Sequence, residues 1–115
     1  MRLKTALWVA AYVRRCYVEG VAAVVRRRGA EESGAVFVRI SRLDGTSDLF
    51  GPAPQSVSNP GRGADRAFIA SLAEQPASDA SVEAYLEREV KFDPDVWIVE
   101  VEEPSGRNFL DIVAG

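Results

Sequence analysis

Ala35-Val36-Phe37-Val38-Arg39-Ile40-Ser41-Arg42-Leu43, followed by Asp44-Gly45, is the stretch from which the fold can be read. Val36, Val38 and Ile40 alternate with Phe37, Arg39 and Ser41. That period of two puts successive side chains on opposite faces of a strand. Asp-Gly after such a run is a strong hairpin signal, because both residues tolerate the positive φ of a two-residue turn. Thr46 to Phe50 is then the return strand. Upstream, Val21 to Arg26 is short, β-branched and bounded by Gly20 and Gly29, so it reads as another strand. Gly29 to Gly34 is a turn. The block from Val21 to Phe50 therefore predicts an antiparallel β-meander.

On the N-terminal side, Leu3 to Glu19 is apolar with few breakers, and Gly20 is a natural helix terminator. Leu3, Leu7, Ala10 and Ala11 are spaced for one helical face, as are Tyr12, Cys16 and Tyr17. A run this apolar has no unambiguous period, and residues 6–13 read as helix or as strand. On the C-terminal side, residues 51–65 carry three prolines and three glycines and almost no large apolar group, which predicts a flexible loop. Arg66 to Leu72 is a further strand, with a short helix as the alternative. Ser78 or Asp79 caps a helix from about Ala80 to Lys91, with Val82, Leu86 and Val90 on one stripe and a Glu87–Lys91 ion pair at i,i+4. Asp93-Pro94 ends it. Val96 to Glu102 is a strand that points Val96, Ile98 and Glu100 one way and Trp97, Val99 and Val101 the other. Asn108 to Val113 is a closing strand. The expected fold is α+β: an N-terminal helix, the meander, a second helix and C-terminal strands in one small sheet, forming a single domain over residues 1–115.

The 115 residues are 47% hydrophobic and 27% charged, the composition of a globular chain. There is no histidine and one cysteine, Cys16. That combination removes the Ser-His-Asp triad, the Cys-His pair, His-ligated zinc and any internal disulfide. Cys16, flanked by apolar residues, reads as a small core hydrophobe, with a reactive thiol next to Arg14 and Arg15 as the alternative. The basic start before an apolar run mimics a leader. Trp8, Tyr12 and the Arg14-Arg15 pair, with no small-residue cleavage site, place it in the folded domain instead. A cytoplasmic location without a membrane anchor is the expectation. Net charge is −3, from 14 basic and 17 acidic residues. The excess of arginine falls in the first half and the excess of carboxylate in the second. Such asymmetry marks either an anion-binding face or two halves that attract each other.

The order of short blocks resembles a small alphaproteobacterial family catalogued as domain of unknown function 1491. The resemblance rests on residues 7–15 (LWVAAYVRR), 24–29 (VVRRRG), 34–38 (GAVFV), 42–45 (RLDG), 92–102 (FDPDVWIVEVE) and 106–107 (GR). It implies a stand-alone cytoplasmic bacterial protein. It carries no activity and no catalytic residue across.

Three functions compete. The missing catalytic equipment weighs against an enzyme and ranks a protein-interaction module first, with a protein partner or a second copy docking on a sheet edge. Nucleic-acid binding through Arg26, Arg28, Arg39 and Arg42 ranks second; Arg26 and Arg28 are expected on one face of their strand. A carboxylate-based, Mg²⁺-dependent hydrolase ranks last. It would use Glu100 and Glu102, two apart on a strand, with Asp93 and Asp95 at the strand entrance. Trp97, like Trp8, Phe37, Phe50 and Tyr85, reads as core, because a domain this small has few other large groups to bury; exposed beside these acids it would instead mark a partner surface. No catalytic, cofactor-binding or metal-ligating residue is assigned, and no cofactor is expected.

Overall fold

A computed structural model of the protein describes residues 4–54 and 66–113. In chain order the elements are α1 (Thr5–Val18), β1 (Ala22–Arg27), β2 (Val36–Ser41), β3 (Thr46–Pro52), β4 (Ala67–Ala70), β5 (Ala77–Ser78), α2 (Asp79–Phe92), β6 (Trp97–Glu102) and β7 (Asp111–Ile112). The fold is α+β, as the sequence predicts. The strands form one sheet in the order β1-β6-β2-β3-β4-β7, with β5 also paired to β3.

The β2–β3 hairpin forms about Asp44-Gly45, with Ser41 opposite Ser47 and Gly45 at φ 90°. The meander does not extend to β1. β6 inserts between β1 and β2, antiparallel to the first and parallel to the second, so the sheet is mixed. Trp97, Ile98, Val99 and Val101 are all buried, and a strand that is apolar on both faces belongs in the interior of a sheet. β1, with two alanines and two terminal arginines, is left at the edge. Gly51 and Pro52, expected in the loop, continue β3 opposite Ile69 and Phe68. Residues 55–65 of that loop lie outside the described residues.

One helix covers each face. On the α1 side, Val36, Val38 and Ile40 of β2 and Trp97, Val99 and Val101 of β6 pack with Val9, Tyr12 and Cys16. On the other, Phe37, Leu49, Val96 and Ile98 pack with Val82 and Leu86 of α2. The alternation in β2 and β6 thus serves two cores. Residues 6–13 are helical. The buried face of α1 is Thr5, Val9, Tyr12 and Cys16, whereas Leu7, Ala10 and Ala11 face outward. A helix apolar all round has no unique stripe, and tertiary contacts choose the face. Tyr12 donates its hydroxyl to Asn108 O at 2.8 Å, and Trp8 stacks on Tyr12 with ring centroids 5.2 Å apart. Burial pushes the Tyr12 hydroxyl and the Cys16 thiol up from their ordinary pKa values. α2 starts where its cap signal lies, with Ser78 Oγ accepting Ser81 N–H at 3.2 Å.

Candidate functional site

The most featured surface lies where β1 passes α2, and an irregularity in β1 creates it. Ala22 to Val25 pair in step with Glu102 to Val99, but Arg27, not Arg26, faces Ile98. Arg26 is the extra residue of a β-bulge, which re-aims the side chains beyond it. As a result Arg26 and Arg27 both line the α2 side. Arg28 turns to the α1 side and lies over the Trp97 ring at 4.9 Å. Arg26 and Arg28 therefore do not share a face; strict alternation fails at the bulge.

Arg26 and Arg39 are brought together. Arg26 makes a two-pronged contact with Glu83 and lies 3.4 Å from Glu100 Oε1. Arg39, only 8% exposed, donates Nε to Ser47 Oγ at 3.0 Å and reaches Asp79 Oδ1 at 2.9 Å, Glu100 Oε1 at 3.2 Å and Glu83. Ser47 Oγ donates in turn to Asp79 Oδ1 at 2.8 Å. The Arg26 guanidinium holds the Glu83 carboxyl below its ordinary range, and the Ser47 hydroxyl and then Arg39 do the same for Asp79. Two arginines of the basic half thus meet three carboxylates of the acidic half. The network ties α2 to the sheet.

Beside it runs a cleft of about 440 Å³ between α2 and β1. Its floor is Leu86, Val90 and Ile98, and its walls are Arg26, Arg27, Glu83, Glu87 and Lys91. Arg27 donates Nη1 to the carbonyls of Pro94 and Val96 at 2.9 and 2.8 Å. The expected Glu87–Lys91 ion pair is not formed: among the described residues Lys91 has no ion-pair partner. A smaller hollow of about 200 Å³ lies along β1 over Ala22, Ala23, Val24, Glu100 and Glu102.

The other sequence candidates go elsewhere. Arg42 places Nη2 2.8 Å from the buried Asp48 carboxylate and packs against Gly106. Trp97 is 1% exposed and donates Nε1–H to Ala30 O at 2.7 Å, so it is core and offers no partner surface. Asp93 Oδ1 accepts Asp95 N–H at 3.0 Å in the turn after α2. Glu100 and Glu102 do point to one side. Even so, among the described residues no three potential ligands gather for a metal ion. Composition and spacing mark Asp79 only as a helix cap and Lys91 only as half of an ion pair, and they do not single out Glu83, Ser47 or Arg27. The positions 83, 86/87 and 90/91 follow a helical stripe, which was the available signal; the bulge that sets β1 against them left none.

The family described as protein of unknown function (DUF1491) matches residues 3–111. The chain belongs to that family. A crystal structure of a DUF1491 protein from Caulobacter crescentus is 34% identical, with a TM-score of 0.79 and coverage of 99% of this chain and 100% of that one. A solution structure of an A. tumefaciens protein is 40% identical, with a TM-score of 0.81 over 100% and 98%. An NMR structure of a C. crescentus DUF1491 protein is 36% identical, with a TM-score of 0.78 over 99% of each chain. No curated protein matches the chain. Among the described residues no helix is long and apolar enough to cross a membrane.

Proposed function

We propose that this member of the DUF1491 family is a non-catalytic cytoplasmic interaction module that takes up an extended segment of another chain along the free edge of β1. A second copy of the same protein is the special case. One observation carries the reading. β1 ends the strand order with no strand paired on its outer side among the described residues, and Val24 and Val25 are 60% and 41% exposed on it. Natural edges are blunted by charge or by a bulge, because unpaired N–H and C=O groups recruit other strands. Here Arg26, Arg27 and the bulge blunt only the end of the strand, and Ala22 to Val25 stay open.

Support for the alternatives is weaker. The guanidinium groups of Arg26, Arg39 and Arg42 face carboxylates of the same chain, which competes with phosphate binding. Glu100 lies 3.4 Å from Arg26 and 3.2 Å from Arg39, so its carboxylate is engaged within the chain and is not left open to a substrate.

Placing a photo-crosslinking residue at Val24, with exposed Leu43 as the control position, tests the reading in producing cells. A discrete adduct from position 24, lost when Val25→Lys is added, is expected. Equal adducts from both positions, or none from position 24, would count against it.

A further inference from the structure

We infer that the cleft between β1 and α2 reads the segment added to β1, selecting an apolar side chain set between an acidic residue at one end and a basic residue at the other. This rests on strand addition at β1. Regular pairing is open over Ala22 to Val25, and beyond the bulge the added segment passes the mouth of the cleft. Every second side chain of an added strand points to the α2 side. There it meets the cleft floor formed by Leu86 and Ile98, both buried, and the half-buried Val90. At about 440 Å³ the cleft is of a size that holds small ligands, so it accommodates a large aliphatic or aromatic side chain.

Charge sets the polarity. Glu83 is committed to Arg26 and Arg39. At the α2 C-terminal end, Arg27 keeps Nε and Nη2 beyond its two carbonyl bonds, and Lys91 has no ion-pair partner, against the single carboxylate of Glu87. At the opposite end, Glu102 is exposed beside Ala22 and Val24, without an ion-pair partner among the described residues. Ala22 to Arg27 spans roughly 16 Å at strand rise. The two charges on the occupant are therefore four to six residues apart, with the apolar anchor between them nearer the acid. The occupant is an extended peptide and not a compact anion, because an open edge and two opposite charges frame the apolar floor.

The experiment pans a random phage-displayed dodecapeptide library on the intact protein. Synthetic copies of the enriched peptides are then titrated against wild type, Lys91→Glu and Glu102→Lys. Both positions are exposed, so both variants fold. Enriched peptides should carry the acid–apolar–base pattern and slow amide exchange in β1. Lys91→Glu should weaken them about tenfold, consistent with one lost charge pair in a partly desolvated site, and replacing the peptide's acid by lysine should restore binding. Peptides that protect β1 but ignore both substitutions would overturn the selectivity and leave strand addition standing. A dimer by sedimentation whose β1 amides are protected without peptide would make a second copy the occupant and overturn the peptide assignment. No enriched peptide, or binding that leaves β1 unprotected in a monomer, would overturn both.

Discussion

Replacing Arg39 by Met should be among the most damaging single changes on the α2 side. Methionine retains much of the length of the side chain, so the loss is electrostatic and not a cavity. Arg39 is 8% exposed and reaches Ser47, Asp79, Glu83 and Glu100, so its removal leaves Glu83 and Glu100 to Arg26 alone and takes the paired cation from Asp79. Removing one partner of a fully buried ion pair costs about 3–5 kcal/mol, and an exposed pair is worth about 0–1 kcal/mol. The side chains of Asp79 and Glu83 keep 43% and 32% of their surface and can rehydrate, so an intermediate value applies. About 2–3 kcal/mol follows, or roughly 10 °C in Tm for a chain of this length. Arg39→Lys should lose about half as much, because an ammonium cannot span all four partners. Urea unfolding followed by tryptophan fluorescence, with calorimetry, measures both. A double-mutant cycle with Glu83→Gln should show coupling of about 1 kcal/mol or more. An Arg39→Met protein as stable as wild type would mean that the network does not hold α2 to the sheet.

Other outcomes follow from the same structure. Glu83 and Asp79 have folded pKa values held below their ordinary 4.5 and 3.8, so the unfolded chain binds their protons more readily. Their stabilisation is complete above about pH 4.5 and is lost as pH falls through the folded values; the urea midpoint should drop from pH 6 to pH 3, less steeply in Glu83→Gln, and parallel curves would contradict this. A Cβ at Gly34 would meet the Asp95 carbonyl and the Trp97 ring. Gly34→Ala should cost about 1–3 kcal/mol and shift tryptophan emission, and an unchanged urea midpoint would show that this turn can yield. Cys16 is fully buried with its thiol pKa raised, so Ellman's reagent should react only as fast as the protein unfolds. Labelling of the native protein within seconds would place that thiol at the surface.

The fold was legible where two periodicities were clean. Residues 36–41 and 96–101 alternate so regularly that both faces of the two central strands can be assigned from the sequence, and Asp44-Gly45 and Ser78 mark their turn and cap. The order of strands was not legible, because local pattern places β1 next to β2 while the burial of β6 on both faces puts it between them. The face of α1 escaped because apolar residues surround it and Asn108, far along the chain, fixes Tyr12. At the candidate site Arg26, Arg39 and Glu100 were chosen by charge and do meet, but the one-residue bulge that separates Arg28 from them is a property of the pairing and has no local signature. Trp97 reads as core in the sequence, and it packs there with its two β-branched neighbours on the same face of β6, Val99 and Val101.

Amide hydrogen exchange across Ala22–Arg27, read with and without a bound partner segment or second copy, tests the claim that β1 is the docking edge most directly. Part of this strand should exchange fast in the free protein and slow by at least about tenfold over Ala22 to Val25 in the complex, with α1 and the β2–β3 turn unchanged. Protection that appears only on α1 or the turn, with β1 exchanging as before, would contradict it.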